Sequence, residues 1–230
     1  MPPKLNITSH FHQHFSNQHI TASTMASQLQ ELQLQIHTPR LTLIPFDPSN
    51  DSHCDFLCHI RNTPEVQHAN ADIGRSILDR ATARLYLEKS CVDRLLTGFG
   101  PFIVILKGEA NPVNKEPTSI GHVGMKLRKT AGAPTVPDIG FSLLKEFWGK
   151  GYATEACNGL LDYFEKEKGV KEVMGYCHPE NENSKKMFRR LGFEDRGVRT
   201  LNGLRDDDGV VNALVWAKQG LSEDLSVYGI

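Results

Sequence analysis

The sequence predicts an α+β domain built around one mixed sheet with helices packed against it. Three observations carry this. Residues 32–46, LQLQIHTPRLTLIPF, alternate apolar and polar positions with period two, as a half-buried strand does. Three short apolar runs follow in the middle of the chain, at Pro101 to Lys107, Ser119 to Arg128 and Asp138 to Leu144, separated by loops. Strand-like runs then interleave with helical patterns, so the whole reads βααβββαβαββ.

Taken in order, Pro39 marks a break or an edge position within the first strand. Asp51 to Asn62 is helical, with Phe56, Leu57 and Ile60 on one side, and the segment around Pro64 is a turn and a short helix. Ser76-Ile77-Leu78-Asp79 reads as a capping box. It opens a helix whose stripe is Leu78, Ala81, Leu85, Val92 and Leu95 and which stops by Gly98. Gly151 to Lys168 is a helix with Ala153, Ala156, Leu160 and Phe164 inward and Gly169 just beyond it. Lys171 to Cys177 is a strand, Asn183 to Leu191 a short helix closed by Gly192, and Phe193 to Thr200 and Val210 to Lys218 are the last strands.

The 230 residues are 39% apolar and 23% charged, with a net charge of −1. This suits a soluble globular protein and carries no basic excess for nucleic acid. No apolar run reaches the roughly 20 residues of a membrane span. Neither nucleic acid nor membrane is expected as a partner, and monomer and homodimer stay open. Five cysteines without a CxxC pair read as reduced thiols in a cytoplasmic protein, and Cys54 with Cys58 does not make a zinc site. Residues 1–30 are rich in His, Gln, Asn, Ser and Thr and read as a disordered extension; 31–219 form the domain and 220–230 a tail.

The chemistry concentrates in Asp138 to Ala156, DIGFSLLKEFWGKGYATEA. An apolar run ends in a glycine-bearing turn that opens into a helix. Such a turn directs backbone N–H groups outward at a helix N-terminus, where an anion, above all a phosphate, is favoured. Gly149 and Gly151 allow unusual dihedrals, and Lys150 adds positive charge.

This turn resembles the pyrophosphate loop of the GCN5-related N-acetyltransferase (GNAT) superfamily. Three further blocks are similar to its ribosomal-protein N-terminal acetyltransferase branch: TPRLTLIPF, IGHVGM and HPENENSKKMFRRLGF. The resemblance spans about Thr38 to Lys218. It implies a mostly antiparallel sheet splayed between its fourth and fifth strands, with acetyl-CoA as co-substrate lying in the V. Leu143 and Leu144 would meet the pantetheine arm in the manner of an added strand. Trp148, Gly149, Lys150, Gly151, Tyr152, Ala153 and Thr154 would hold the pyrophosphate, and Asn181, Ser184 and Lys185 would contribute from the last helix.

The implied reaction is acetyl transfer to a primary amine, of a protein N-terminus or a small molecule, by direct attack in a ternary complex. Many relatives place a tyrosine acid where this chain has Phe188. Asp138 and His122 are the candidate bases, each with an ordinary structural role as the alternative. Glu155 reads as a carboxylate helping the helix dipole. A non-catalytic acyl-CoA sensor and an enzyme using another acyl-CoA remain open, as does the identity of the amine.

Overall fold

The computed structural model describes residues 33–69, 77, 79–113, 115–205 and 209–230. Eight strands form one sheet: β1 (Ile36–His37), β2 (Leu41–Pro45), β3 (Pro101–Leu106), β4 (Thr118–Lys126), β5 (Asp138–Leu143), β6 (Met174–Cys177), β7 (Phe193–Leu201) and β8 (Val211–Lys218). Their order across the sheet is β1-β2-β3-β4-β5-β6-β8-β7. The helices are α1 (Asp51–Arg61), α2 (Pro64–Ala69), α3 (Arg80–Thr97), α4 (Tyr152–Lys168) and α5 (Glu182–Arg190). Every neighbouring pair is antiparallel except β5 and β6, which run parallel and meet at the single pair Asp138↔Met174. Beyond that point the sheet is splayed.

The first strand of the sequence reading is a hairpin. Pro39 cannot donate to a ladder, and the chain reverses there, with the Thr38 N–H donating to the Leu41 carbonyl at 2.9 Å. The third helix also differs. Its N-cap is Asp79, whose carboxylate accepts from the Thr82 N–H at 2.7 Å; Ser76 and Leu78 lie outside the described residues. The buried stripe is Ala83, Leu87 and Arg94, and Leu85 and Leu95 face outward at 64% and 42% exposure. Arg94 takes an inward place because its guanidinium lies 4.3 Å over the Phe102 ring and donates to the Pro101 carbonyl at 2.6 Å. Residues 220–230 are part of the domain rather than a tail. Leu221, Leu225 and Tyr228 are buried, and the Tyr228 hydroxyl donates to Glu172 at 3.0 Å. The expected extension at 1–30 lies outside the described residues.

Strand register assigns the two faces of the sheet. One face is covered without a break by α4 and α5, in a core that includes Val123, Ile139, Leu143, Leu160, Phe164, Phe188 and Trp216. On the other face, cross-strand partners place Ile103, His122 and Ser142 in one row, and Asp138 beside Met174 and Ala217. That face carries separate small cores. One, under α1 and α3, holds Leu57, Leu87 and Ile103; a second holds Met174, Val215 and Tyr228. Between them β5 presents Gly140, where a Cβ would meet nothing within 4 Å. The sheet is bare there.

Phe188 sets the continuous face. Its ring stacks on Trp216, with centroids 5.6 Å apart and planes 16° from parallel, and meets Phe141 edge-on at 5.6 Å. It fits only because β6 has a glycine beneath it: a Cβ on Gly175 would lie 2.1 Å from the Phe188 ring. Gly175→Ala is therefore expected to destabilise the fold by about 1–3 kcal/mol through overpacking. Adding Phe188→Leu should recover part of the loss. Urea unfolding of the single and double variants measures both.

Candidate functional site: the splayed strands and the turn before α4

After β5 the chain makes a single 3₁₀ turn, Lys145–Phe147, and enters the glycine loop. Gly149 and Gly151 both adopt left-handed backbone, at φ +74° and +79°. Gly151 is the N-cap of α4 and brings no side chain to cap it. The first-turn N–H groups of Tyr152, Ala153 and Thr154 are thus left without a capping oxygen at the positive end of a 17-residue helix. Gly149, Lys150 and Gly151 are exposed, while the Tyr152 ring turns inward. The Lys150 ammonium folds back to the Glu146 carbonyl at 2.8 Å, 5.5 Å from the Phe147 ring centroid. The Thr154 hydroxyl donates to the Met187 sulfur at 3.4 Å.

The loop is held from a distance by the β1–β2 hairpin. Glu155, in the first turn of α4, accepts from the Thr38 hydroxyl at 2.6 Å, the Arg40 N–H at 2.7 Å and Arg40 Nε at 2.6 Å. Arg40 also donates from Nη1 to the Lys150 carbonyl at 3.0 Å and lies 4.5 Å over the Tyr152 ring. Glu155 is more than a dipole partner: it latches the loop to the hairpin. Burial pushes its carboxyl up, but the hydrogen bonds from Thr38 and Arg40 outweigh this and hold it below its usual value. Arg40 has no role in the sequence reading, although it stands in the TPRLTL block and Glu155 in the TEA block. The two blocks are one contact.

Backbone direction in β5 decides which groups face the V. The Leu144 N–H donates to the Ile120 carbonyl on the β4 side at 2.9 Å, and its carbonyl accepts from Phe147 N–H at 3.0 Å. Both Leu144 backbone groups are engaged, so Leu144 offers nothing to a ligand strand, contrary to expectation. Backbone groups alternate along a strand. Ser142 and Gly140 therefore point toward β4, and Phe141 and Leu143 toward β6. The Pro137 carbonyl, which accepts from Met174 N–H at 2.9 Å, has the same direction. The Leu143 carbonyl is taken by Trp148 Nε1 at 2.7 Å, which leaves the Leu143 N–H and both Phe141 groups aimed into the splay. Trp148 thus braces the strand end. Phe141 is the residue that a count of sequence positions misses, because the parity of the strand appears only with its register.

Across the V, α5 begins at Asn181, whose side-chain carbonyl accepts from Ser184 N–H at 3.0 Å. Lys185 pairs with Glu182 at 2.7 Å. Phe188 is sealed beneath Trp216 and supplies no proton. All five cysteines are free thiols. Burial pushes Cys157 up, and burial is also the largest influence on Cys177 and pushes it up, so neither is a ready thiolate.

The two candidate bases lie on the opposite face, both buried beside the bare strip at Gly140. Asp138 is buried in a bidentate ion pair with Arg128, at 2.8 Å from Nε and 3.1 Å from Nη2. Arg128 Nη1 continues to the Leu204 carbonyl at 2.9 Å, so this pair ties the β4–β5 and β7–β8 connections together at the foot of the V. His122 is buried, and its Nε2 has no hydrogen-bond partner in the protein. Burial, and then the Arg61 charge, push it down to about 3, so the imidazole is neutral at ordinary pH. Tyr176 on β6 stands on the same face; burial and the Asp138 carboxylate push its phenol up, so it stays protonated.

Glu155→Gln should loosen the latch, removing about 1–3 kcal/mol of stability through the lost charge-assisted bonds. Because the folded carboxyl titrates below its unfolded value of 4.5, its contribution is full above pH 4.5 and fades as pH falls through the folded value. The difference between wild type and Glu155→Gln in denaturant unfolding should therefore be largest near neutrality and shrink below pH 4.5.

Residues 40–194, more than half of the chain, match the family model of the acetyltransferase (GNAT) domain. A Bacillus licheniformis protein described as the uncharacterized N-acetyltransferase p20 is 34% identical over 164 residues, covering 71% of this chain and 84% of its own. The FsC-acetyl coenzyme A-N(2)-transacetylase of Aspergillus fumigatus is 26% identical over 164 residues, 69% of this chain and 64% of that longer protein. In fold, the structure of a putative ribosomal-protein-serine acetyltransferase from Vibrio cholerae superposes with a TM-score of 0.62 at 16% identity, covering 81% of this chain and 97% of that one. With its splayed parallel pair and uncapped glycine turn, the chain belongs to the GNAT acetyltransferase family.

Proposed function

We propose that the protein transfers the acetyl group of acetyl-CoA to a primary amine by direct attack in a ternary complex. The observation that carries this reading is the uncapped N-terminus of α4 at the mouth of the splayed β5–β6 pair. Its free N–H groups suit a pyrophosphate. Phe141 and Leu143 suit an extended amide-bearing arm running down the V toward the Asp138–Met174 pair. Asn181, Ser184 and Lys185 stand on the opposite wall. Relatives named for acetyl coenzyme A and for a ribosomal-protein serine support acetyl as the acyl group and an amine as acceptor.

The amine would approach from the bare strip over Gly140. Its nitrogen adds to the thioester carbonyl carbon, the carbon–sulfur bond breaks, and the products are an amide and the CoA thiol. Asp138 is committed to Arg128 and positions the foot of the V. His122, the other candidate base, is neutral and buried beside the strip, and the amine proton leaves to water. The unpaired N–H groups of the β5 edge polarise the carbonyl.

Gly149→Asp is the direct test of the loop. A Cβ at Gly149 meets nothing within 4 Å, whereas one at Gly151 lies 3.4 Å from Arg40 and would disturb the latch as well. A carboxylate at 149 places negative charge among the free N–H groups. Calorimetric titration should show acetyl-CoA binding weakened by several kcal/mol, on the order of two charge-assisted hydrogen bonds, in a protein that keeps its circular dichroism. Unchanged affinity would remove the basis of the reading.

A second prediction concerns pH. With His122 neutral, kcat/KM should rise with pH according to the ionisation of the acceptor amine, with no inflection near 6.5. Amines of graded basicity should move the profile in step with their own pKa values. A fixed inflection common to all amines would instead assign the base to the enzyme.

A further inference from the structure

One wall of the V carries a tyrosine. β5 and β6 are parallel and meet at Asp138↔Met174. Counting both strands upward from that rung sets Tyr176 opposite Gly140 and His178 opposite Ser142. Gly140 is exposed, and a Cβ there would meet nothing within 4 Å, so the space across from Tyr176 is open. Tyr176 is half-buried, and its ring packs against the small core that holds Met174 and Val215. Its hydroxyl leans back along β6 and donates to the Met174 sulfur at 3.4 Å. The phenol O–H therefore stands at the rung where the two strands still pair, which is the foot of the V.

A thioether is a weak acceptor, so the O–H gives way readily to a stronger one. The charges beside it are already engaged: both Asp138 oxygens accept from Arg128, at 2.8 and 3.1 Å. His178 stands one rung further up the same wall. Phe188, sealed under Trp216, brings no hydroxyl to the V. Burial and the Asp138 carboxylate push the Tyr176 phenol up, so it keeps its proton and acts by hydrogen bonding rather than by proton transfer. Resting on the acetyltransferase reading, we infer that the Tyr176 hydroxyl turns from Met174 to the thioester sulfur and stabilises the thiolate as it leaves. The amine nitrogen bonds to the carbonyl carbon, the carbon–sulfur bond breaks, and its electron pair goes to sulfur. The phenol O–H donates a hydrogen bond there, while the amine proton leaves to water and water protonates the released thiolate.

The test uses the full chain and CoA itself, so it needs no acceptor. The thiol of bound CoA is titrated by its thiolate absorbance, against the complex with desulfo-CoA, which lacks the thiol. In wild type the bound thiol should titrate about one pH unit or more below free CoA. Tyr176→Phe, which removes one oxygen, should return most of that difference, and desulfo-CoA should bind both proteins equally. Where tyramine, spermidine or glycinamide is acetylated, Tyr176→Phe should lower kcat about tenfold or more, with KM for acetyl-CoA and the shape of the pH profile unchanged. A bound thiol that titrates alike in wild type and Tyr176→Phe would overturn the inference. So would a loss of desulfo-CoA affinity in Tyr176→Phe as large as the loss for CoA, which marks a structural role. If Tyr176→Phe does not fold, the wild-type titration decides. Failure of CoA to bind wild type would count against the acetyltransferase reading instead. CoA that binds wild type with its thiol unshifted would leave that reading standing and reject this inference alone.

Discussion

The carboxylate of Glu155 is the contact on which the glycine loop before α4 depends. A helix N-terminus binds an anion only if its free N–H groups are held in a fixed concave arrangement, and the left-handed glycines of this loop are by themselves permissive rather than rigid. Glu155 fixes the first turn of α4 to the β1–β2 hairpin through Thr38 and Arg40, and Arg40 reaches on to the Lys150 carbonyl inside the loop. The negative charge that stabilises the helix end is thereby turned sideways, away from the mouth of the V. The loop keeps its open donors, and the hairpin at the sheet edge becomes a brace rather than an exposed edge.

The two faces of the sheet divide the labour. On one, a continuous core including the Phe188–Trp216 stack locks α4 and α5 and so fixes both walls of the V. On the other, separate small cores leave β5 uncovered at Gly140. A single layer thus separates a continuously packed face from one left uncovered at β5. The Asp138–Arg128 pair, at the point where β5 and β6 still touch, stops the splay from running through the whole sheet.

This arrangement also bears on the chemistry. With Phe188 sealed, Asp138 engaged and His122 neutral, the site offers orientation and hydrogen bonding more than proton transfer. In the proposed reaction, a thiol leaving group and an amine that arrives unprotonated make few demands for acid or base.

By itself the sequence determined what depends on neighbours along the chain. The period-two run at residues 32–46 and the apolar runs after it located strands, Gly169 and Gly192 ended their helices, and WGKGYA marked a glycine turn opening into a helix, because periodicity, caps and left-handed glycines are local properties. The substitution at Phe188 was legible for the same reason. Tertiary structure decided what depends on partners far apart in sequence. Thr38 and Arg40 meet Glu155 across more than a hundred residues, and no spacing announces that contact. Phe141 rather than Leu144 faces the V because the β4 register sets the parity of β5. The inward stripe of α3 runs through Arg94, not Leu85 and Leu95, because the Phe102 ring and the Pro101 carbonyl wait on that side. His122 and Ser142 share a row with Ile103 only once the sheet is paired, since pairing chooses the face on which each side chain emerges.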